Sequence, residues 1–361
     1  MWPDRRLLDL LGIDHPIIQA PMAGAMDGAL VAAVSAAGGL GSLPCAMLNA
    51  DQIRAEVERI RARTDRPFGM NFFCHVPPVP DNARISAWHS RLAPYYSELG
   101  LDPHAPVPVA NRTPFDAAMC ELVLELKPRV TSFHFGLPEP ALVARLKGAG
   151  CIILSSATTV AEARWLAERG ADAVIAQGQE AGGHRGIFLS DAVASQVGTF
   201  ALVPQVADAV SVPVIAAGGI ADGRGVAAAF TLGASGVQVG TAYLLTPEAK
   251  ISAPHRAALA AATDDGTVLT NVFTGRPARA LMNRLVAETG PISDVVPPFP
   301  LAAGPVGPLR AVAEKQGSGA FSPLWSGQAA ALAGPLGAAD LTRKLATDGL
   351  ARLTGAGATK A

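Results

Sequence analysis

Two apolar runs in the second half of the chain each stop at glycine: Val214-Ile-Ala-Ala-Gly-Gly-Ile220 and, some twenty residues on, Gly236-Val-Gln-Val-Gly240-Thr241. Each is short, apolar and abruptly ended, and reads as a buried strand. Glycine at the stop lets backbone N–H groups approach an anion with no Cβ in the way. A helix start just beyond the first run, at Asp222-Gly223-Arg224-Gly225, would add partial positive charge. Two such turns after consecutive strand–helix units, late in a chain, fit the phosphate cup behind the last two strands of a (β/α)8 barrel. An open doubly wound sheet usually places its Gly-rich phosphate turn after the first strand. No Gly-x-Gly-x-x-Gly follows the first strand here.

The rest of the chain keeps the same rhythm. Strands expected at 16–20, 40–43, 68–72, 130–134, 151–154 and 173–177 precede the two glycine-stopped runs, which makes eight, with helical patterns between them. Asn49 and Asp51 are N-cap candidates for a charged amphipathic helix reaching about residue 64. The rhythm breaks at 75–114, which holds eight of the 29 prolines and reads as an insertion carrying one helix. From 254 to 343 the pattern reads as helical and Pro-rich. The expected architecture is therefore α/β, a (β/α)8 TIM barrel from 1–74 and 115–253. The insertion at 75–114 and residues 254–345 form a helical cap at its mouth, and 346–361 form a flexible tail.

Composition excludes several classes of function. A formal net charge of −1 gives no electrostatic basis for binding nucleic acid or an anionic membrane. No apolar stretch is long enough to span a bilayer without interruption, and no secretory leader opens the chain. Cys45, Cys74, Cys120 and Cys151 and the seven histidines lack metal-ligand spacing. No metal site is expected, the thiols read as reduced, and the expected location is cytoplasmic.

Barrel enzymes carry their working residues at the C-terminal ends of strands. Those ends here are Gln19 to Met22, Asn71, His134, Gln177 and the two glycine turns. Amides that interrupt apolar runs need polar partners, and a flat heterocycle with carbonyl and ring-nitrogen edges supplies them. After strand six comes Gln177-Gly-Gln-Glu-Ala-Gly-Gly-His-Arg-Gly186. A histidine among glycines, His184, can approach a ligand closely, and imidazole suits proton transfer near neutrality. Cys45 and Cys74 have no activating partner in sequence and read as core thiols, and no Gly-x-Ser-x-Gly elbow is present.

These residues resemble the nitronate monooxygenase family, formerly the 2-nitropropane dioxygenases. The matching stretches are Gln-Ala-Pro-Met-Ala (19–23), Gly-Met-Asn-Phe (69–72), Ala-Gln-Gly-x-Glu-Ala-Gly-Gly-His-Arg-Gly (176–186), Ala-Gly-Gly-Ile-Ala-Asp-Gly-Arg-Gly (217–225), Gln-Val-Gly-Thr (238–241) and Trp-Ser-Gly-Gln-Ala (325–329). The resemblance implies a TIM barrel that binds FMN and oxidises alkyl nitronates with O2 to a carbonyl compound and nitrite. By the same resemblance, Asn71, Gln177, Gly182, Gly219 and Gln238, Val239, Gly240 and Thr241 would hold the cofactor, with Ala20, Pro21, Met22, Gly183 and Gly218 beside them. His184 would be the catalytic histidine, acting as base on a neutral nitroalkane or orienting a nitronate, and His134 and Trp325 would line the substrate pocket. The three tyrosines, Tyr95, Tyr96 and Tyr243, do not supply an obvious phenolic contact, so Trp325 and the phenylalanines are expected at the pocket instead. The expected partners are a small nitronate or nitroalkane and O2, and a homodimer is left open.

Three other functions share these parts. An FMN-dependent NAD(P)H enoyl-acyl carrier protein reductase has a similar Glu-x-Gly-Gly-His loop. The near-neutral charge, with no basic patch for an acidic carrier protein, weighs against it. An NADH:quinone reductase is the second. The third is a non-catalytic barrel that binds a phosphorylated ligand, and it has little use for a titratable group such as His184.

Overall fold

In a computed structural model, residues 1–106 and 112–355 are described. Eight apolar runs become parallel strands: β1 (Ile17–Gln19), β2 (Gly41–Pro44), β3 (Phe68–Phe73), β4 (Val130–His134), β5 (Ile152–Ala157), β6 (Ala173–Gln177), β8 (Val214–Ala217) and β9 (Gly236–Val239). A two-residue strand, β7 (Gly183–His184), lies between β6 and β8 in sequence and belongs to another sheet. The barrel strands run in the order β1-β9-β8-β6-β5-β4-β3-β2. A bridge between Ile18 and Leu40 joins β1 to the β2 edge and closes the ring. Both faces of these strands are covered, which is why they read as continuous apolar runs rather than alternating ones. The fold is the expected (β/α)8 barrel.

The outer helices form where the apolar spacing is helical. The helix Ala50–Arg61 buries Ile53, Val57 and Ile60 on one stripe. Asn49 caps it, and a reciprocal contact from Gln52 completes a capping box. Asp222 caps the helix Gly223–Thr231 by accepting from the Arg224 amide at 2.8 Å. The Arg224 amide at that helix start is thus taken by its own cap, and the Asp222 carboxylate partly offsets the positive charge expected there.

The insertion helix, Asn82–Glu98, shares a core with the C-terminal region. Trp88, Leu92, Tyr95 and Tyr96 pack on Val272, Leu285, Val306, Leu309 and Phe321. The buried Trp88 indole donates to the Ala302 carbonyl at 3.3 Å, Tyr96 donates to the Pro305 carbonyl at 2.6 Å, and Tyr95 to the Glu288 carboxylate at 2.7 Å. Both cap tyrosines are therefore committed to packing.

Two expectations for the C-terminal region are corrected. Residues 254–343 are not all helical: β10 (Thr267–Thr270) pairs antiparallel with β11 (Ala278–Leu281), and β11 pairs in turn with β7. These strands are short, and their turn chemistry is masked by the surrounding prolines. Residues 346–353 are not a flexible tail, because the helix Ala338–Leu353 continues through them and packs across the helices 223–231 and 28–36. Its buried Leu341, Leu345 and Ala346 give the reason, an apolar stripe that needs covering. Residues 356–361 of the expected tail and 107–111 of the insertion lie outside the described residues. Among the described residues no helix is long and apolar enough to cross a membrane.

Candidate active site

The barrel strands deliver their C-terminal ends to one large cleft, with an empty volume of about 1400 Å3 that includes its open mouth. Ala20, Pro21, Met22, Asn71, His134, Gln177, Gly182, Gly183, His184, Gly218, Gly219, Gln238, Gly240, Thr241 and Trp325 all line it. The structure thus brings together residues spread over most of the chain. Val239 is the exception among the sequence-based candidates. Its side chain is buried in the barrel core, because successive strand residues face opposite ways.

One end of the cleft is a glycine cradle. Gly218 (φ 113°) and Gly219 (φ 71°) hold backbone conformations that L side chains rarely adopt. A Cβ on Gly219 would meet nothing closer than the Glu180 side chain at 3.5 Å, so the turn opens onto free space. The Gly219 and Gly240 amides donate to no acceptor among the described residues. A neighbouring strap, residues 325–329, crosses so closely that a Cβ on Gly182 would stand 2.5 Å from the Gly327 nitrogen. Gly327 donates to the Thr241 hydroxyl at 2.9 Å, and Gln328 donates to the Glu180 carbonyl at 3.0 Å. The strap is thereby tied to both glycine-bearing loops.

The amides divide into two kinds. Gln177 is used by its own loop: its Nε2 donates to the His184 carbonyl at 3.0 Å and its Oε1 accepts from Gly186 at 2.8 Å. The Asn71 amide donates to the Ser132 hydroxyl at 2.9 Å, which leaves its carbonyl oxygen for the cleft. The Gln238 side chain has no partner among the described residues and faces the cleft. Gln19 is absent from the lining; its oxygen accepts from the Ser42 amide at 3.0 Å and fixes β1 against β2. The unpaired Gln238 amide and the free carbonyl oxygen of Asn71 thus lie where a planar polar ligand would find them.

His184 sits in β7, held by pairing with Ala278 of β11, and not in a free loop. Its ring is walled by Phe299 and Trp325, each 5.4 Å away between centroids, and by Phe135 and Phe73 at 6.1 and 6.3 Å. Burial in this cage, with Arg112 next in effect, holds its pKa well below the ordinary value, so the imidazole is neutral at pH 7. His184 Nε2 is 2.9 Å from the Thr274 hydroxyl, which itself donates to the Arg276 carbonyl at 3.4 Å. This arrangement favours the proton on Nε2 and leaves Nδ1 without a hydrogen-bond partner among the described residues.

His134 plays a different part from its neighbour. One ring nitrogen meets the Ser156 hydroxyl, and Nε2 is 3.2 Å from the His184 carbonyl. Its pKa is pushed down to about 3, chiefly by burial. A neutral ring with both nitrogens engaged is a support for the His184 backbone. Arg185, fully buried, points the other way and donates to the carbonyls of Gly178 and Gln177 at 2.6 and 2.8 Å. Phe135 adopts φ 71°, a strained conformation for a bulky residue, with the Arg276 guanidinium 3.9 Å above its ring. Burial raises the thiol pKa of Cys45 and Cys74, so neither is a ready nucleophile.

Several of these residues carry no local sequence signal. Thr274, Phe299 and Arg112 come from the cap and insertion, and only the long-range fold brings them to His184. Phe73 and Phe135 could have been found, since each directly follows a strand end that sequence reading had placed.

A closed (β/α)8 barrel with its principal cleft at the C-terminal face defines a barrel enzyme. Comparison with known proteins makes this specific. Residues 4–348 match the family model described as nitronate monooxygenase. A nitronate monooxygenase of Paraburkholderia phytofirmans is 46% identical, with 94% of each chain covered. Among solved structures, a nitroalkane oxidase from Streptomyces ansochromogenes superposes with a TM-score of 0.88 at 38% identity, covering 97% of this chain and 99% of that one. FabK from Thermotoga maritima gives a TM-score of 0.72 at 27% identity, with 99% of each chain covered. The chain belongs to the nitronate monooxygenase family, a family of flavin-dependent oxidoreductases.

Proposed function

We propose that this protein is an FMN-dependent nitronate monooxygenase that converts alkyl nitronates, with O2, to carbonyl compounds and nitrite. The observation that carries this reading is His184, a neutral imidazole with a free Nδ1, held in an aromatic cage beside a glycine cradle. The cleft fits the cofactor: unpartnered Gly219 and Gly240 amides and the Thr241 hydroxyl would hold the phosphate. Asn71, Gln238 and the backbone at Ala20 to Met22 and Gly182–Gly183 would meet the ring edges. Bound FMN would supply the redox chemistry, accepting electrons from the substrate and passing them to O2.

The protein's own work is positioning and proton transfer. His184 Nδ1 can take the proton from the carbon beside a nitro group and convert a neutral nitroalkane to its nitronate. The Phe and Trp walls exclude water, which makes each polar contact inside count for more. His134 and Gln177 fix the His184 carbonyl and so fix where Nδ1 points.

The test is an anaerobic titration of the purified holoenzyme with an alkyl nitronate. Reduction of the bound flavin by nitronate, with nitrite released on admitting air, is the expected result. Rapid reduction by NADH in place of nitronate would move the assignment to a nicotinamide-dependent reductase. His184→Asn should retain flavin while turnover of neutral nitroalkanes falls on the order of 10²-fold or more. Undiminished nitrite release from nitroethane in that variant would remove His184 from its role.

A further inference from the structure

We propose that Arg112 is the charge-selecting residue of this pocket, the cation that receives the anionic oxygens of the substrate and favours nitronate over the neutral nitroalkane. The inference rests on the function proposed above and adds a residue that sequence reading did not single out. Arg112 lines the same cleft as His184, Phe73 and Trp325. Its guanidinium lies 5.4 Å over the Phe299 ring, and the same ring stands 5.4 Å from His184. One aromatic side chain therefore spaces the cation from the base.

None of the ion pairs among the described residues involves Arg112, and burial lowers its pKa from the ordinary value. Glu180 is the only carboxylate lining the cleft among the described residues. It belongs to the cradle end, where it accepts from the Thr199 amide and hydroxyl at 2.8 and 2.7 Å. The titratable neighbours on Arg112's side are His184 and His75, both held neutral by burial, and Arg276, which is itself cationic. A half-buried cation in a cleft, with no counter-ion among the described residues, gains when a ligand supplies one.

A nitronate supplies it in the right shape. Its negative charge is spread over two coplanar oxygens, and a guanidinium presents parallel N–H donors that match such a pair. The neutral nitroalkane carries no net charge and gains much less. Arg112 also disfavours a second positive charge on His184, so a substrate that arrives already ionised avoids forming imidazolium beside it.

The test compares wild type with Arg112→Gln and Arg112→Lys as flavin-loaded enzymes, by two readouts. One is steady-state oxidation of pre-formed ethyl nitronate and of nitroethane. The other is the dissociation constant of nitrate, an inert planar anion, from its perturbation of the flavin spectrum. Loss of a charge-assisted contact should raise both the nitronate KM and the nitrate Kd by about tenfold or more in the Gln variant. The kcat for nitronate should fall far less than KM rises, the nitronate-to-nitroethane preference in kcat/KM should drop, and the Lys variant should recover most of the nitrate affinity. If the Gln variant does not fold, Arg112→Met keeps the stem on Phe299 and carries the same comparison. Nitronate KM and nitrate Kd within twofold of wild type in either neutral variant would overturn the inference. A wild type that fails to oxidise nitronate would instead overturn the function, while the nitrate titration would still report on Arg112.

Discussion

At the residue scale, the outcome turns on which nitrogen of His184 holds the proton. Thr274 biases it toward Nε2, because its hydroxyl faces the Arg276 carbonyl and can offer its lone pairs to Nε2. Thr274→Val keeps the shape and removes that preference. Without it the imidazole populates the other tautomer, in which Nδ1 carries the hydrogen and cannot act as base. Steady-state nitrite release from nitroethane should fall by about tenfold in kcat/KM, the equivalent of roughly one hydrogen bond. Oxidation of pre-formed nitronate should change less, since it needs no proton removed from carbon. The same depressed pKa predicts no break near pH 6.5 in kcat/KM for pre-formed nitronate.

At the scale of elements, the close crossing of the 325–329 strap over Gly182 is a demanding contact in the site. A methyl at Gly182 would meet backbone atoms of Ser326 and Gly327 at 2.6 and 2.5 Å, and backbone cannot swing aside as a side chain can. Gly182→Ala should cost about 1–3 kcal/mol by overpacking, read as a lower midpoint in thermal unfolding. Because the strap is bonded to Thr241, the variant should also retain less flavin per protein by visible absorbance. Sequence reading placed the barrel strands well, because runs buried on both faces and ended by glycine have few alternative homes. It failed at β7, β10 and β11, whose pairing joins residues 183–184 to 278–281 with almost no local pattern. It also placed Gln177 among the ligand contacts, although that amide is largely spent on its own loop. Spacing reveals where a polar group stands along a strand, but not which neighbour reaches it first.

At the scale of the whole molecule, buried neutral histidines couple the fold to pH. His134 and His75 titrate in the folded protein at about 3 and about 4, against an ordinary 6.5, with burial the leading cause for each. The unfolded chain therefore binds protons that the folded chain refuses between pH 6.5 and those lower values. Stability is fully present above pH 6.5 and declines as pH falls through that window, by about 1 kcal/mol per group for each pH unit. Denaturant midpoints measured at pH 7.5 and 5.5 should show the loss, and equal midpoints would show that these rings are solvated or paired.

The three-stranded sheet built from β10, β11 and β7 has a consequence for how such proteins diversify. His184 hangs on a thread sewn into both halves of the molecule, its preceding loop rooted in the barrel and its edge stitched to the cap. Exchanging the cap for that of a relative would therefore do more than trade one set of pocket walls for another. It would re-aim the proposed base itself, so new substrate preferences and new proton-transfer rates should arrive together in chimaeras joined outside residues 267–281.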